Sequence, residues 1–351
     1  MGERARNRCR ERLQSLAGAD LDPEQARLAA IDELRRAVGF ERWCWPLTDP
    51  ASGLATSGIA EFDLWPTLPH LVALQEHGDI ASKPSLVVGP RATVTLSAVT
   101  AGDMHRSRVW RECLDPYGIG DTLMAACRTR EGCWGSVELM RDRDDRAFDE
   151  DEVRLLEDVA PILGTLLRRT LATSWHAEGG DAGAPPPGTL LLDRGLAQAG
   201  ATPPMREWLE RLNAAGGALP PAVYELGTRI LARVAADAPH DLPARVRIRT
   251  PSGGWSVIEG APLEGGDDVR VVITVRAATP DEVADVLCRA HGLTRREREL
   301  VDLLRSGLAT KQMSGALGIS SYTVQDHLKA IFDKAGVRSR RELLSRLVGA
   351  T

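Results

Sequence analysis

The sequence predicts a multidomain α+β protein that ends in an all-α four-helix unit, and three observations carry that expectation. The chain has 351 residues, and at about 100–200 residues per domain such a length holds two or three domains, each able to bury its own core. One low-complexity stretch, HAEGGDAGAPPPG from His176 to Gly188, has too much Gly, Ala and Pro to build a core and divides the chain as a linker. Beyond about His291 the strand-type alternation disappears, and every periodic segment has helical spacing.

Composition narrows the class further. With 43% apolar and 26% charged residues, neither wholesale disorder nor a membrane protein is indicated. No apolar run approaches the roughly 18–20 residues of a membrane span, and MGERARNRCRERL at the start is not a short apolar secretory core, so a cytoplasmic location is expected. Cys9, Cys44, Cys113, Cys127, Cys133 and Cys288 are scattered without a CxxC pair or a zinc spacing, and read as reduced thiols. Cys127 and Cys133 flank a hairpin turn and read as neighbouring core thiols rather than a redox pair. The net charge of −5 argues against a polyanionic partner, but it hides an asymmetry: residues 291–351 carry 11 basic and 6 acidic side chains, the preceding 290 carry 33 and 43. A basic end on an acidic body suits a polyanion at one end only.

In chain order, DPEQARLAAIDELRRAVG places Ala26, Ala29, Ala30, Leu34 and Val38 at helical spacing, with Gly39 as a stop. DTLMAACR and CWGSVELM, joined by Thr129 to Gly132, read as a hairpin. A helix follows from Asp149, its N-cap, with Glu152 at capping-box spacing; Pro161 removes one donor and is expected to disturb it. After the linker, TLLLD (Thr189 to Asp193) reads as a strand continued by an extended segment to about Ala201. Helical stretches then run from Met205 to Leu212 and from Pro221 to Val234, and ARVRIRT, WSVIEG and VRVVITV complete a small antiparallel sheet. A weaker break falls at RAATPDE. The expected boundaries are 1–175, a linker at 176–188, 189–276, a second linker at 277–290, and 291–351.

From Leu293 the signals sharpen. Thr294 and Glu297 make a capping box before a helix that Gly307 stops; Thr310 caps a short second helix that Gly318 ends. Ser320 caps a third helix reaching Ala335 before Gly336, and Ser339 opens a fourth, RRELLSRLV. On the third helix Val324, Leu328, Ile331 and Ala335 share one side, while Tyr322, Gln325, Asp326, Lys329 and Asp333 share the other. A short helix, a tight turn containing Gly, and a longer helix with a polar outer face form the geometry that seats a recognition helix in the major groove.

The run from Leu293 to Leu343 resembles the DNA-binding domain of the LuxR family of bacterial regulators, matching at Leu293, Thr294, Arg296, Glu297, Gly307, Lys311, Leu317, Ile319, Ser320, Thr323, Val324, His327, Lys334, Gly336, Val337, Ser339 and Arg340. Of these, Leu293, Leu317, Ile319, Val324 and Val337 have a core role as their simplest account, and Glu297 an internal ion pair. The residues expected at DNA are Lys311, Ser321, Tyr322, Thr323, Gln325, Asp326, His327, Lys329, Arg338 and Arg340. Gln325 and Asp326 depart from the basic or amide residues of many members, so the operator does not carry over; Gln pairs bidentately with adenine, and Asp accepts from cytosine. The resemblance implies double-stranded DNA and RNA polymerase as partners, and a homodimer on a palindromic site with Leu343, Leu344, Leu347 and Val348 at the dimer contact.

The segment from Gly118 to Arg169 resembles the C-terminal half of a GAF domain, and residues 189–276 a PAS-like fold, which together imply α/β sensory domains and a small-molecule ligand of unknown identity. No motif surrounds His70, His77, His105 or Cys44 as haem ligands, and Trp43, Trp45, Trp65, Trp110 and Trp134 read as core or pocket wall. A Gly-rich phosphate loop, a GxSxG elbow and an HExxH helix are all lacking, so no enzyme is expected. RDRDDRAFDEDE reads as a loop and helix start rather than a phosphoacceptor. A rival expectation is a small-molecule sensor or scaffold whose helix-turn-helix docks a protein.

Overall fold

The computed structural model describes residues 3–61, 67–173, 183–212, 219–235, 241–250, 253–263 and 270–348. Trp65, most of the expected linker and the side chain of Val348 lie outside the described residues. The first unit runs α1 (Glu3–Gly18), α2 (Pro23–Val38), β1 (Arg42–Thr48), β2 (Ala55–Ala60), α3 (Leu68–Glu76), α4 (Lys83–Val88), β3 (Thr93–Thr95), α5 (Leu96–Thr100), β4 (Ile119–Thr129), β5 (Gly132–Asp142) and α6 (Glu150–Thr173). Its strands form an antiparallel five-stranded sheet in the order β2-β1-β5-β4-β3. Because side chains alternate along a strand, the sheet has two inner faces. One carries Trp43, Trp45, Leu123, Val137 and Leu139 against α1, α2 and α6. The other carries Met124, Ala126 and Met140 beneath α3, α4 and α5.

Helix α6 is assigned without interruption across Pro161. Its start matches the capping-box expectation: Asp149 N–H donates to Glu152 at 2.9 Å, and Glu152 N–H donates to Asp149 at 3.0 Å. Glu152 also anchors Arg141, whose Nη1 and Nη2 reach it at 3.1 and 3.0 Å and whose guanidinium caps the carbonyls of Val38 and Gly39. Helix α1, which the sequence reading missed, covers α6 with Cys9, Leu13 and Ala17. Cys127 and Cys133 are buried free thiols on adjacent strands that belong to different apolar clusters, and burial pushes both pKa values up.

The second unit is β6 (Gly188–Leu192), β7 (Gln198–Ala201), α7 (Pro203–Arg211), α8 (Pro221–Val234), β8 (Arg245–Arg249), β9 (Trp255–Leu263) and β10 (Arg270–Ala277). It forms a second antiparallel sheet in the order β7-β6-β10-β9-β8, covered by α7 and α8. Leu54, from the β1–β2 turn of the first unit, is fully buried in this second core. Two buried guanidiniums lock the junction around it. Arg229 on α8 grips Glu76 of α3 at 2.8 and 3.1 Å and donates to Ser52 O at 2.9 Å. Arg247 on β8 grips Asp49 at 2.7 and 2.8 Å and reaches Asp285 at 2.8 Å.

Residues 280–290, expected within a linker, form a helix instead: α9 (Pro280–Ala290). Thr279 and Glu282 make its capping box, and the Arg276 guanidinium, outweighing the cost of burial, holds the Glu282 carboxyl down at about 2. Val283, Leu287 and Cys288 of α9 join the core of the last unit, whose helices are α10 (Arg295–Arg305), α11 (Thr310–Leu317), α12 (Ser321–Ala335) and α13 (Arg340–Val348). Arg168 of α6 donates to Ala290 O at 2.6 Å, tying α9 to the first unit as well.

Candidate nucleic-acid interface

Local chemistry fixes the helix-turn-helix. Thr294 N–H donates to Glu297 at 2.7 Å while Glu297 N–H donates to the Thr294 hydroxyl at 3.3 Å, which closes the first turn of α10. The same carboxylate receives Lys334 Nζ from the far end of α12 at 2.7 and 2.8 Å. Burial opposes ionisation of Glu297, but Lys334 and the Thr294 amide outweigh it and hold its carboxyl below the usual range. Between α11 and α12 lie only Gly318, Ile319 and Ser320. Gly318 has φ +63°, a left-handed conformation in which a Cβ is disfavoured, and this is what turns the chain in three residues. Ser320 then accepts from Thr323 N–H at 3.0 Å and starts α12.

The start of α11 differs in detail from expectation. Thr310 is its first helical residue rather than its cap, and the Gln312 side chain reaches back to Ala309 N–H at 2.8 Å. The Thr310 hydroxyl is used elsewhere, accepting from Arg340 Nη2 at 2.7 Å. Arg340, a sequence candidate for DNA contact, is therefore half-buried and braces the start of α13 against α11.

Helix α12 separates as its spacing predicts. Val324, Leu328, Ile331 and Ala335 are buried in the core with Met313, Leu300 and Leu304. Ser321, Tyr322, Gln325, Asp326 and Lys329 are exposed, Tyr322 to 74%, while Thr323 and His327 are half-buried on its flank. Lys311 at the start of α11 and Arg338 before α13 are exposed too. Among the described residues, the side chains of Lys311, Gln325, Asp326, Lys329 and Arg338 make no hydrogen bond or ion pair. The result is a polar, partly cationic ridge with its donors unspent, mounted on a packed base.

The expected dimer contact is corrected. Leu343 and Leu347 are fully buried and Leu344 partly so, because α9 packs along α13 and covers that apolar stripe within the same chain. The haem candidates are dispersed: His70 pairs with Glu112 at 2.7 Å, His105 meets the Trp110 ring edge-on at 5.1 Å, and His77 is the exposed C-cap of α3. Among the described residues, no group of three or more His, Cys, Asp or Glu could hold a metal ion, and no helix is long and apolar enough to cross a membrane. Sequence reasoning also missed Glu138, a carboxylate on β5 that faces a cavity beneath α3.

Residues 291–347 match the family described as "Bacterial regulatory proteins, luxR family". The transcriptional regulatory protein UhpA of Escherichia coli is 32% identical over 112 residues, covering 31% of this chain and 57% of that protein. The transcriptional regulatory protein DesR of Bacillus subtilis is 34% identical over 71 residues, covering 20% of this chain and 36% of that one. The chain thus spans only about a third to somewhat over half of these regulators' length. The shorter spore germination protein GerE of Bacillus subtilis is 38% identical over 56 residues, which are 16% of this chain and 76% of GerE. Among solved structures, Escherichia coli SdiA aligns over 97% of this chain and 95% of its own at 10% identity, with a TM-score of 0.35. Through its helix-turn-helix the chain belongs to the luxR family of bacterial regulatory proteins.

Proposed function

We propose that this chain is a transcription regulator that binds double-stranded DNA sequence-specifically, with α12 in the major groove, under control of a small-molecule signal received by its first two units. Residues 1–175 act as a GAF-like and residues 189–276 as a PAS-like sensory domain. The observation that carries the reading is the ridge of α12: its side chains are the right length and chemistry for base edges, and among the described residues Gln325, Asp326 and Lys329 are unengaged. Gln325 suits an adenine, and Ser321, Tyr322, Asp326 and Lys329 flank it. Lys311, His327, Thr323 and Arg338 face the sugar-phosphate rails, with Arg340 setting the spacing between them.

A homodimer on a two-fold site fits the reading, through surfaces other than Leu343 and Leu347, and RNA polymerase is the partner such a regulator addresses. The exposed carboxylates Asp326 and Asp333 favour the rival reading of a protein-docking helix, and salt separates the two. Duplexes selected by the full chain from genomic fragments at low ionic strength should bind with affinity that falls by about 10³–10⁵ between roughly 50 and 200 mM salt if six or more phosphates are neutralised. Failure to retain any duplex at low salt refutes the DNA reading.

A further inference from the structure

Strand β5 is the centre of the first sheet, and Glu138 stands in its middle. The register puts Cys44 of β1 on one side of it and Met124 of β4 on the other. Val137 and Leu139, its neighbours in sequence, point the opposite way into the core beneath α6. Glu138 therefore opens on the face under α3 and α4, where a cavity of about 540 Å³ is roofed by Leu71, Val72 and Gln75. That volume lies within the range of small-ligand sites, about 300–1,000 Å³.

The charges lining the cavity are unequal in their partners. Among the described residues, three carboxylates line it, Glu61, Glu138 and Glu225, with one cation, Lys83. Glu61 is ion-paired with Arg35. Glu225, on α8 of the second unit, is paired with Lys83 of α4 and also accepts from Ala55 N–H at 2.6 Å. Among the described residues, Glu138 has only the Cys44 thiol, its Sγ 3.6 Å away. Enclosing a carboxylate without a cation is costly, and the group responds by holding its proton. Burial pushes Glu138 up to about 7, against the smaller opposing effects of Cys44 and Lys83. The sheet thus presents a carboxyl poised between its two forms at the floor of an apolar-walled chamber.

We propose that this cavity binds a small organic ammonium ion, its charge on Glu138 and its apolar body against Leu71, Val72 and Met124. The inference rests on the reading of the first two units as sensory and gives the ligand class. An anion would meet three carboxylates and a lysine already engaged. A bare metal ion would find no grouping of ligands among the described residues. Pro221 and Glu225 contribute to the same wall, so an occupant touches the Lys83–Glu225 pair that joins the two units.

The test is calorimetric titration of the full chain with hexylamine and 2-phenylethylamine as probes, and with 1-hexanol as the neutral control. Both amines should bind and the alcohol should not. Glu138→Gln, nearly isosteric and checked for folding by circular dichroism, should weaken the amines by at least about tenfold. The wild-type chain gives a second measurement that needs no variant. The titratable and charged groups facing Glu138 are Cys44 on β1, Glu61 after β2, Lys83 on α4 and Glu225 on α8. Burial brings Glu138 up to about 7, so amine affinity should be roughly tenfold weaker at about pH 6 than at about pH 8. Absence of binding at millimolar amine, equal affinity for hexanol, or an affinity that neither Glu138→Gln nor pH alters would overturn the proposal. DNA selection by the same preparation is scored separately, so loss of amine binding leaves the DNA reading intact and loss of DNA binding leaves the amine site intact.

Discussion

Arg247 and Lys329 are both cations projecting from a regular element, and they end in opposite circumstances. Arg247 is 8% exposed and has every guanidinium nitrogen engaged: Asp49 takes Nε and Nη2, Asp285 and Glu282 O take Nη1. Lys329 stands in solvent on α12 with no partner among the described residues. The contrast separates two uses of charge. At the junction, desolvation is compensated internally, so removal of the group is felt as lost stability. On the ridge, compensation has to come from outside, so removal is felt as lost binding.

The sharpest way to break the comparison is Arg247→Ala. It leaves Asp49, in the β1–β2 turn of the first unit, buried without its cation and releases Asp285 of α9. Losing one partner of a buried pair costs about 3–5 kcal/mol, which urea unfolding of the full chain should register. Faster hydrogen exchange in α9 should accompany it. A loss below about 1 kcal/mol would place Arg247 with the weak surface pairs instead. Leu54→Ala probes the apolar half of the same junction. Because Leu54 is fully enclosed in the core of the second unit, its truncation should cost about 2–5 kcal/mol, and the two units should then unfold in separate steps.

Those two residues also show where the sequence is silent. Arg247 and Asp49 are 198 positions apart, and no local pattern links them. The Leu54 side chain lies in a turn, where periodicity has nothing to say. By contrast, the helices after Leu293 were legible because local caps and stops mark them: Thr294 with Glu297, Ser320 with Thr323, and Gly318 and Gly336 in left-handed conformations. The α13 leucines mark the limit of that legibility. An apolar stripe announces that a face is covered, not whether a second copy or an earlier helix covers it, and here α9 does. Helix α9 was itself readable, with a Thr279–Glu282 capping box and Val283, Val286 and Leu287 in register, but Pro280 after a strand end reads equally as a break. Glu138, between Val137 and Leu139, follows the polar-out alternation of a half-exposed strand, so nothing in the sequence distinguishes solvent from a chamber.

On the ridge, the comparison sharpens with Gln325→Ala. Stability should stay within about 0.5 kcal/mol of the parent, because the side chain is exposed and unpaired. Affinity for the selected duplex should fall by about 1–3 kcal/mol, and discrimination at one base pair should relax while the other positions hold. Parallel binding measurements on the selected site and on its single-base variants check this. A uniform loss across all variants would reassign Gln325 from the bases to the backbone.

The smallest expected effect tests the other half of the ridge. Lys311→Ala removes one exposed ammonium at the start of α11 without disturbing the Arg340–Thr310 bond beside it. If Lys311 neutralises a phosphate, the logarithmic dependence of affinity on salt should become shallower by about one unit, and every duplex should weaken alike whatever its sequence. Lys329→Ala discriminates further, since α12 presents it on the same side as Gln325. A change in salt slope alone puts Lys329 on the rails, whereas a change confined to certain base pairs puts it in the groove. Either result fixes the tilt of α12 against the duplex, because Lys329 lies one helical turn beyond Gln325 and both cannot reach bases unless the helix runs along the groove floor.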